Sequence, residues 1–185
     1  YTLTVASANE IATNINDGGT GLDDNTKIVL STTTNGDFKI GDTYSIVVSN
    51  YNGGASTADV KLLDKDGNIV GTAITNGDLT SNLTFSTSNG DVLTITANSI
   101  TGNGTATFTV GETANYTLTD SNNNAVASLT GYVTTDGTVD LGGLRLNVDN
   151  TLTAANDTVI TVSGQGIKFQ IGANQGQDIT MTIRD

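Results

Sequence analysis

From Lys27 almost to the end, short runs of Val, Ile, Leu, Thr and Phe alternate with Gly, Asn and Asp, and this rhythm is what most limits the folds open to the chain. Runs of that length with period-two alternation suit half-buried strands, and the residues between them suit tight turns. We therefore expect an all-β, antiparallel protein, rich in Thr, Gly and Asn. Strands are expected at residues 27–32, 38–40, 44–49, 60–63, 69–73, 83–85, 92–97, 106–110, 116–119, 127–133, 144–148 and 158–162. Disorder is the competing outcome for a chain only 36% hydrophobic, but the sustained apolar alternation argues for a packed core.

Ahead of this series, residues 1–5 read as a strand with Tyr1, Leu3 and Val5 on one face. Residues 7–16 read differently. Ala8, Ile11, Ala12 and Ile15 fall at helical spacing behind Ser7 as a cap, and Asp17, Gly18 and Gly19 end the run, so one short helix is expected there. The tetrad Lys65-Asp66-Gly67-Asn68, flanked by Leu62, Leu63, Ile69 and Val70, carries the Asp-Gly pair of a two-residue hairpin.

The sequence also echoes itself. Gly36 to Tyr44 (GDFKIGDTY) is answered about 70 residues later by Phe108-Thr109-Val110-Gly111-Glu112-Thr113 and Tyr116, with a weaker echo in Asp157 to Val162. Related β units in tandem would account for this, as would the shared composition of Thr-rich strands joined by Gly and Asp. The layout expected is two small β subdomains, 41–103 and 104–162, on a basal β stalk made of 1–40 and 163–185, where both chain ends meet.

Several kinds of chemistry are excluded by residue type. The chain contains no His, Cys, Pro or Trp. General acid–base work by His, a Ser-His or Cys-His nucleophile, a disulfide framework and a thiolate metal site all fall away. Paired carboxylates of the glycosidase kind would have to come from 17 Asp and two Glu, Glu10 and Glu112, and nearly every Asp lies at an expected turn, where it bonds the local backbone. We expect no enzyme and no cofactor. A calcium loop would need more than Asp64, Asp66 and Asn68, because residues 69–74 supply no later carboxylate; Asp23 and Asp24 form another acidic pair. No metal site is expected. A formal charge of −12 cannot neutralise phosphates, so neither nucleic acid nor an anionic membrane is an expected partner. No apolar run approaches the roughly 20 residues of a membrane span.

The final stretch, IKFQIGANQGQDITMTI from Ile167 to Ile183, reads as two strands around a polar elbow. Ile167, Phe169 and Ile171 alternate in the first strand and Ile179, Met181 and Ile183 in the second. This segment resembles the one in bacterial flagellins where the chain returns from the variable outer region to the inner helical domain, with Gly172, Ala173, Asn174, Gly176 and Gln177 matching in order. The match covers about a dozen of the 185 residues. What it implies is a structural, non-enzymatic outer region on the bacterial flagellar filament, extracellular and exported without a cleaved signal. Its partners would be other flagellin subunits, joined through helical domains absent from this chain, with contacts between neighbouring outer domains and an isolated fragment that is monomeric. Absence of proline would suit prompt folding after export, since slow X-Pro isomerisation is avoided. The residues it singles out are structural: Gly172, Asn174, Gly176 and Gln177 shaping the elbow, and Phe169, Ile171, Ile179 and Met181 packing it. The outer-region zinc protease carried by some flagellins needs a His-Glu-x-x-His motif that this chain lacks. Other readings stay open: a tandem Ig-like module of an adhesin or surface-layer protein, the outer region of a hook-filament junction protein and, more distantly, a sugar-binding or hydrolytic domain.

Overall fold

A computed structural model describes residues 1–33, 36–149, 152, 154, 157–161, 167–170 and 178–181, the last two segments as backbone strands. The fold is all-β, and every strand pairing is antiparallel. The strands are β1 (Thr2–Asn16), β2 (Ile28–Ser31), β3 (Thr43–Asn52), β4 (Thr57–Leu63), β5 (Ile74–Asp78), β6 (Leu83–Ser86), β7 (Val92–Ile95), β8 (Gly104–Thr119), β9 (Ala125–Thr134), β10 (Thr138–Leu141), β11 (Leu144–Asn147), β12 (Asp157–Val159), β13 (Ile167–Gln170) and β14 (Asp178–Met181).

β8 is the spine. Its 16 residues run through what the sequence suggests are two strands, 106–110 and 116–119. β1 lies along one edge of β8; on the other edge β3 pairs with residues 104–109 and β9 with residues 112–119, end to end. With β4 and β5 beyond β3, and β12 beyond β1, this makes a seven-stranded sheet. On its inner face β8 presents Ala106, Phe108, Val110, Glu112, Ala114, Tyr116 and Leu118 in unbroken alternation, all buried.

Two cores lie along that one face. Phe108, Val110, Ile46, Val60 and Leu62 pack against Ile28, Phe85, Leu93 and Ile95 of the small sheet β2-β7-β6. Further along, Leu3, Val5, Ala114, Tyr116 and Leu118 pack against Val139 and Leu141 of the β10-β11 hairpin. The two copies of the internal echo meet in the first core without sharing a conformation. Residues 38–40 form loop and turn rather than the expected strand, whereas 108–110 lie within β8. Phe38 meets Tyr44 edge-on at 5.0 Å, and Tyr44 stacks on Phe108 at 5.7 Å.

No helix forms at residues 7–16; they are the second half of β1. Two β-bulges explain the misleading spacing. The register with β8 shifts between Ala6 and Asn9 and again between Thr13 and Asn16, and Ser7 and Asn14 take φ of 55° and 47°. Each extra residue exchanges the inward and outward faces. Leu3 and Val5 point inward before the first bulge, Ala12 after it, and Ile15 packs on the core after the second. A strand that changes face twice mimics a helical period. Asn tolerates the left-handed region that a β-branched residue resists, so Asn14→Val is expected to cost about 1–2 kcal/mol in urea unfolding, and Asn14→Gly little.

The Asp64 turn is a hairpin, but its loop has three residues rather than two. Asp64 N–H donates to the Asn68 carbonyl at 2.9 Å, and Gly67 takes φ 81°. The return arm, expected at 69–73, makes only a bridge from Ile69 to Leu63 before β5 begins at Ile74.

For the stalk, Thr2, Leu3 and Thr4 have both edges occupied, by β8 and by β12. A strand has only two edges, so the expected pairing of residues 1–5 with 167–183 is replaced at these positions by Thr2↔Val159, Leu3↔Thr158 and Thr4↔Asp157. β13 and β14 pair with each other.

Candidate functional site

The elbow residues Gly172, Asn174, Gly176 and Gln177, together with Ala173 and Ile171, lie outside the described residues. Their flanks are described: β13 and β14 pair antiparallel with Ile167 opposite Met181 and Phe169 opposite Ile179, the two-strand element that the alternation suggests.

The acidic turns resolve into backbone chemistry. Asp64 accepts hydrogen bonds from the Asp66 and Asn68 N–H groups at 2.9 and 2.8 Å and from Asn68 Nδ2 at 3.0 Å. The Asn68 side chain and backbone hold its carboxyl below the usual range. Asp120 repeats the arrangement with Asn122 and Asn124, the Asn124 N–H being the largest cause of its lowered pKa. Both are Asx turns closing hairpins. Asp24 caps Thr26 and Lys27, while Asp23 pairs with Lys27 Nζ at 2.6 Å. Among the described residues no group of three or more acidic side chains is placed to hold a metal ion.

A groove of about 660 Å³ is lined by Asp37, Asp42, Tyr44, Asp64, Lys65 and Ile69, among others. Its carboxylates serve the scaffold. Asp37 accepts from the Asn89 N–H at 3.0 Å, Asn89 Nδ2 at 2.8 Å and Ser88 Oγ at 3.2 Å, and Asp42 pairs with Lys65 at 3.2 Å. Asp37→Ala is expected to lower the urea midpoint measurably, because it releases the 86–92 turn, while Asp66→Ala should leave it within error.

Two polar groups stand out for burial, and sequence reading singled out neither for this role. Asp91, wholly buried, accepts from the Thr33 N–H at 2.7 Å, Thr33 Oγ1 at 3.0 Å and the Phe38 N–H at 2.9 Å. It pins the loop after β2 to the hairpin β6-β7. A Cβ at Gly36 would collide with its carboxylate oxygens, which explains the glycine. Glu112, only 1% exposed, lies on the inner face of β8 between the two cores, directly opposite Glu10 of β1. These are the two glutamates of the chain. Glu112 Oε1 has no partner, and Glu10 Oε2 accepts from the Thr32 hydroxyl. Burial, and then the Glu10 charge, push the Glu112 carboxyl up to about 7. Nearby, the Tyr116 hydroxyl is buried without a partner, and burial pushes it up to about 12.

Of the two glutamates, Glu112 is sealed inside the sheet and Glu10 is bonded to Thr32. The Glu112 carboxyl can take up and release a proton. Comparison with family models, with curated proteins and with solved structures finds no match to this chain.

Proposed function

We propose that this chain is the surface-exposed outer domain of a flagellin subunit, a structural part of the bacterial flagellar filament that supplies an acidic, antigenic face while helical domains elsewhere polymerise. One observation supports it most directly. The chain returns beside its own start: the Ile160 N–H donates to the Tyr1 carbonyl at 2.8 Å, and the Tyr1 nitrogen donates to the Ile160 carbonyl at 3.1 Å. A segment hung from another domain must leave and re-enter at nearly one place, and adjacent antiparallel strands meet that demand. The flagellin-like residues 172–177 follow shortly after that return. The committed chemistry of the Asp turns and the charge of −12 suit a soluble outer surface better than a binding pocket.

The competing tandem Ig-like module is disfavoured because β1 and β8 each run through both cores, whereas tandem modules carry their own strands. The test is a graft. Residues 1–185 replace the outer region of a flagellin with known helical domains, in cells lacking their own. Filaments with added outer density in electron micrographs, decorated along their length by antibody against the isolated chain, are expected. Export of the fusion without filaments carrying that density would overturn the reading.

A further inference from the structure

We propose that Glu112, with Glu10 opposite it on β1, sets how tightly the two cores are joined: with Glu112 protonated the joint is closed, and with it ionised the joint loosens where β1 bulges past β8. The inference stands on the pair's geometry and is independent of the role in a filament.

Residues directly opposite on antiparallel strands have Cβ atoms about 5 Å apart, and like charges at such positions repel. Glu112 is fixed there by β8, between Val110 of one core and Ala114 of the other. The groups facing the pair come from three strands and one loop. Glu10 is on β1, Thr134 of β9 stands directly opposite Glu112 with its hydroxyl donating to the Asp136 carboxylate at 2.9 Å, Tyr116 follows on β8, Tyr132 of β9 packs edge-on against Tyr116 at 6.5 Å, and the Thr32 hydroxyl approaches from the end of β2. None is a cation. Among the described residues the ion pairs are Lys27–Asp23 and Lys65–Asp42, neither of which involves the glutamates. Buried, and with nothing positive to offset a charge beside Glu10, Glu112 retains its proton to higher pH than an isolated carboxyl would hold it.

The seam is also where the pairing of β1 with β8 is irregular. β1 shifts register between Ala6 and Asn9, and the Asn9 backbone N–H beside that bulge favours the ionised Glu112 carboxylate, though less than burial and Glu10 oppose it. Ionising Glu112 places a charge with an unpartnered oxygen against this bulge, which water can relieve only by parting the strands there. The sign follows. The folded value of about 7 lies above the ordinary 4.5, so the stability Glu112 contributes is complete below about 4.5 and is lost as pH rises through 7.

Because the chain has two glutamates, carboxyl-labelled ¹³C-glutamate gives two resonances to follow by NMR. The expected result is a titration step near 7 in the Glu112 signal. Between about pH 5.5 and pH 8.5, amide exchange at residues 9–12 and 110–114, corrected for intrinsic rate, should rise roughly tenfold or more. Glu112→Gln should abolish both. Glu10→Gln, which leaves the buried carboxyl in place, should move the remaining step to lower pH and shrink the exchange increase. If the Glu112 carboxyl titrates in the ordinary acidic range, or if the exchange increase persists in Glu112→Gln, the proposal is wrong. Should Glu112→Gln not fold, an unmoved step in Glu10→Gln overturns it equally.

Discussion

Phe108→Ala is expected to lower the free energy of unfolding by about 3–5 kcal/mol in urea titrations, the largest loss from any single substitution considered for this protein. Phe108 is wholly buried in the middle of the first core, on the half of β8 that pairs with β3, and its ring lies on Tyr44 with an interplanar angle of 20°. Truncation removes the apolar area and leaves a void that rigid strands on three sides cannot close. It also deprives Tyr44 of its stacked partner, worth about 1 kcal/mol beyond burial. Phe108→Leu, which fills most of the space, should cost less than half as much. A loss for Phe108→Ala no greater than that for Val126→Ala, at an exposed position on β9, would mean that the first core is not packed as described.

Asp91→Ala should cost about 3 kcal/mol, because the carboxylate answers the buried Phe38 N–H and the part-buried Thr33 N–H of one loop. The expected signature separates this loss from ordinary cavity formation. Asp91→Asn keeps one acceptor oxygen and should recover part of the stability, whereas Asp91→Leu, which fills the volume, should not. Amide exchange at Phe38 would rise selectively in Asp91→Ala, since its N–H donates to Oδ2 at 2.9 Å. Uniform loss of protection would instead mark Asp91 as a core filler. Stability differences of this size are a large share of the 5–15 kcal/mol typical of a domain.

The all-β class was legible because alternation and turn residues agree over most of the chain, as at 44–49 and 92–97, where the strands fall close to the sequence reading. Misreadings came where backbone geometry breaks the period. Two bulges turned the second half of β1 into an apparent helix. Gly111 and Glu112 looked like a turn inside what is one strand, because a glycine beside an acid usually marks an exposed bend. β10 went unseen since Val139 and Leu141 give too short an alternation. The Asp turns were read correctly as local hydrogen bonding, as Asp64 and Asp120 illustrate. The glutamate pair was beyond sequence reading for a plain reason. Residues 102 apart become neighbours only through the register of β1 on β8, and no local pattern encodes that register.

The short pairing of β12 with β1 has a mechanical consequence. A load drawing Tyr1 away from Ile160 pulls on two antiparallel neighbours from the same end, so their bonds open one after another, as a zipper does. Three residue pairs resist in turn. Behind them, β1 is matched to β8 at eleven positions over its length, and these give way only after the first three have parted. Tension at the point of return therefore meets a compliant leader first, with the longer pairing of β1 to β8 holding both cores.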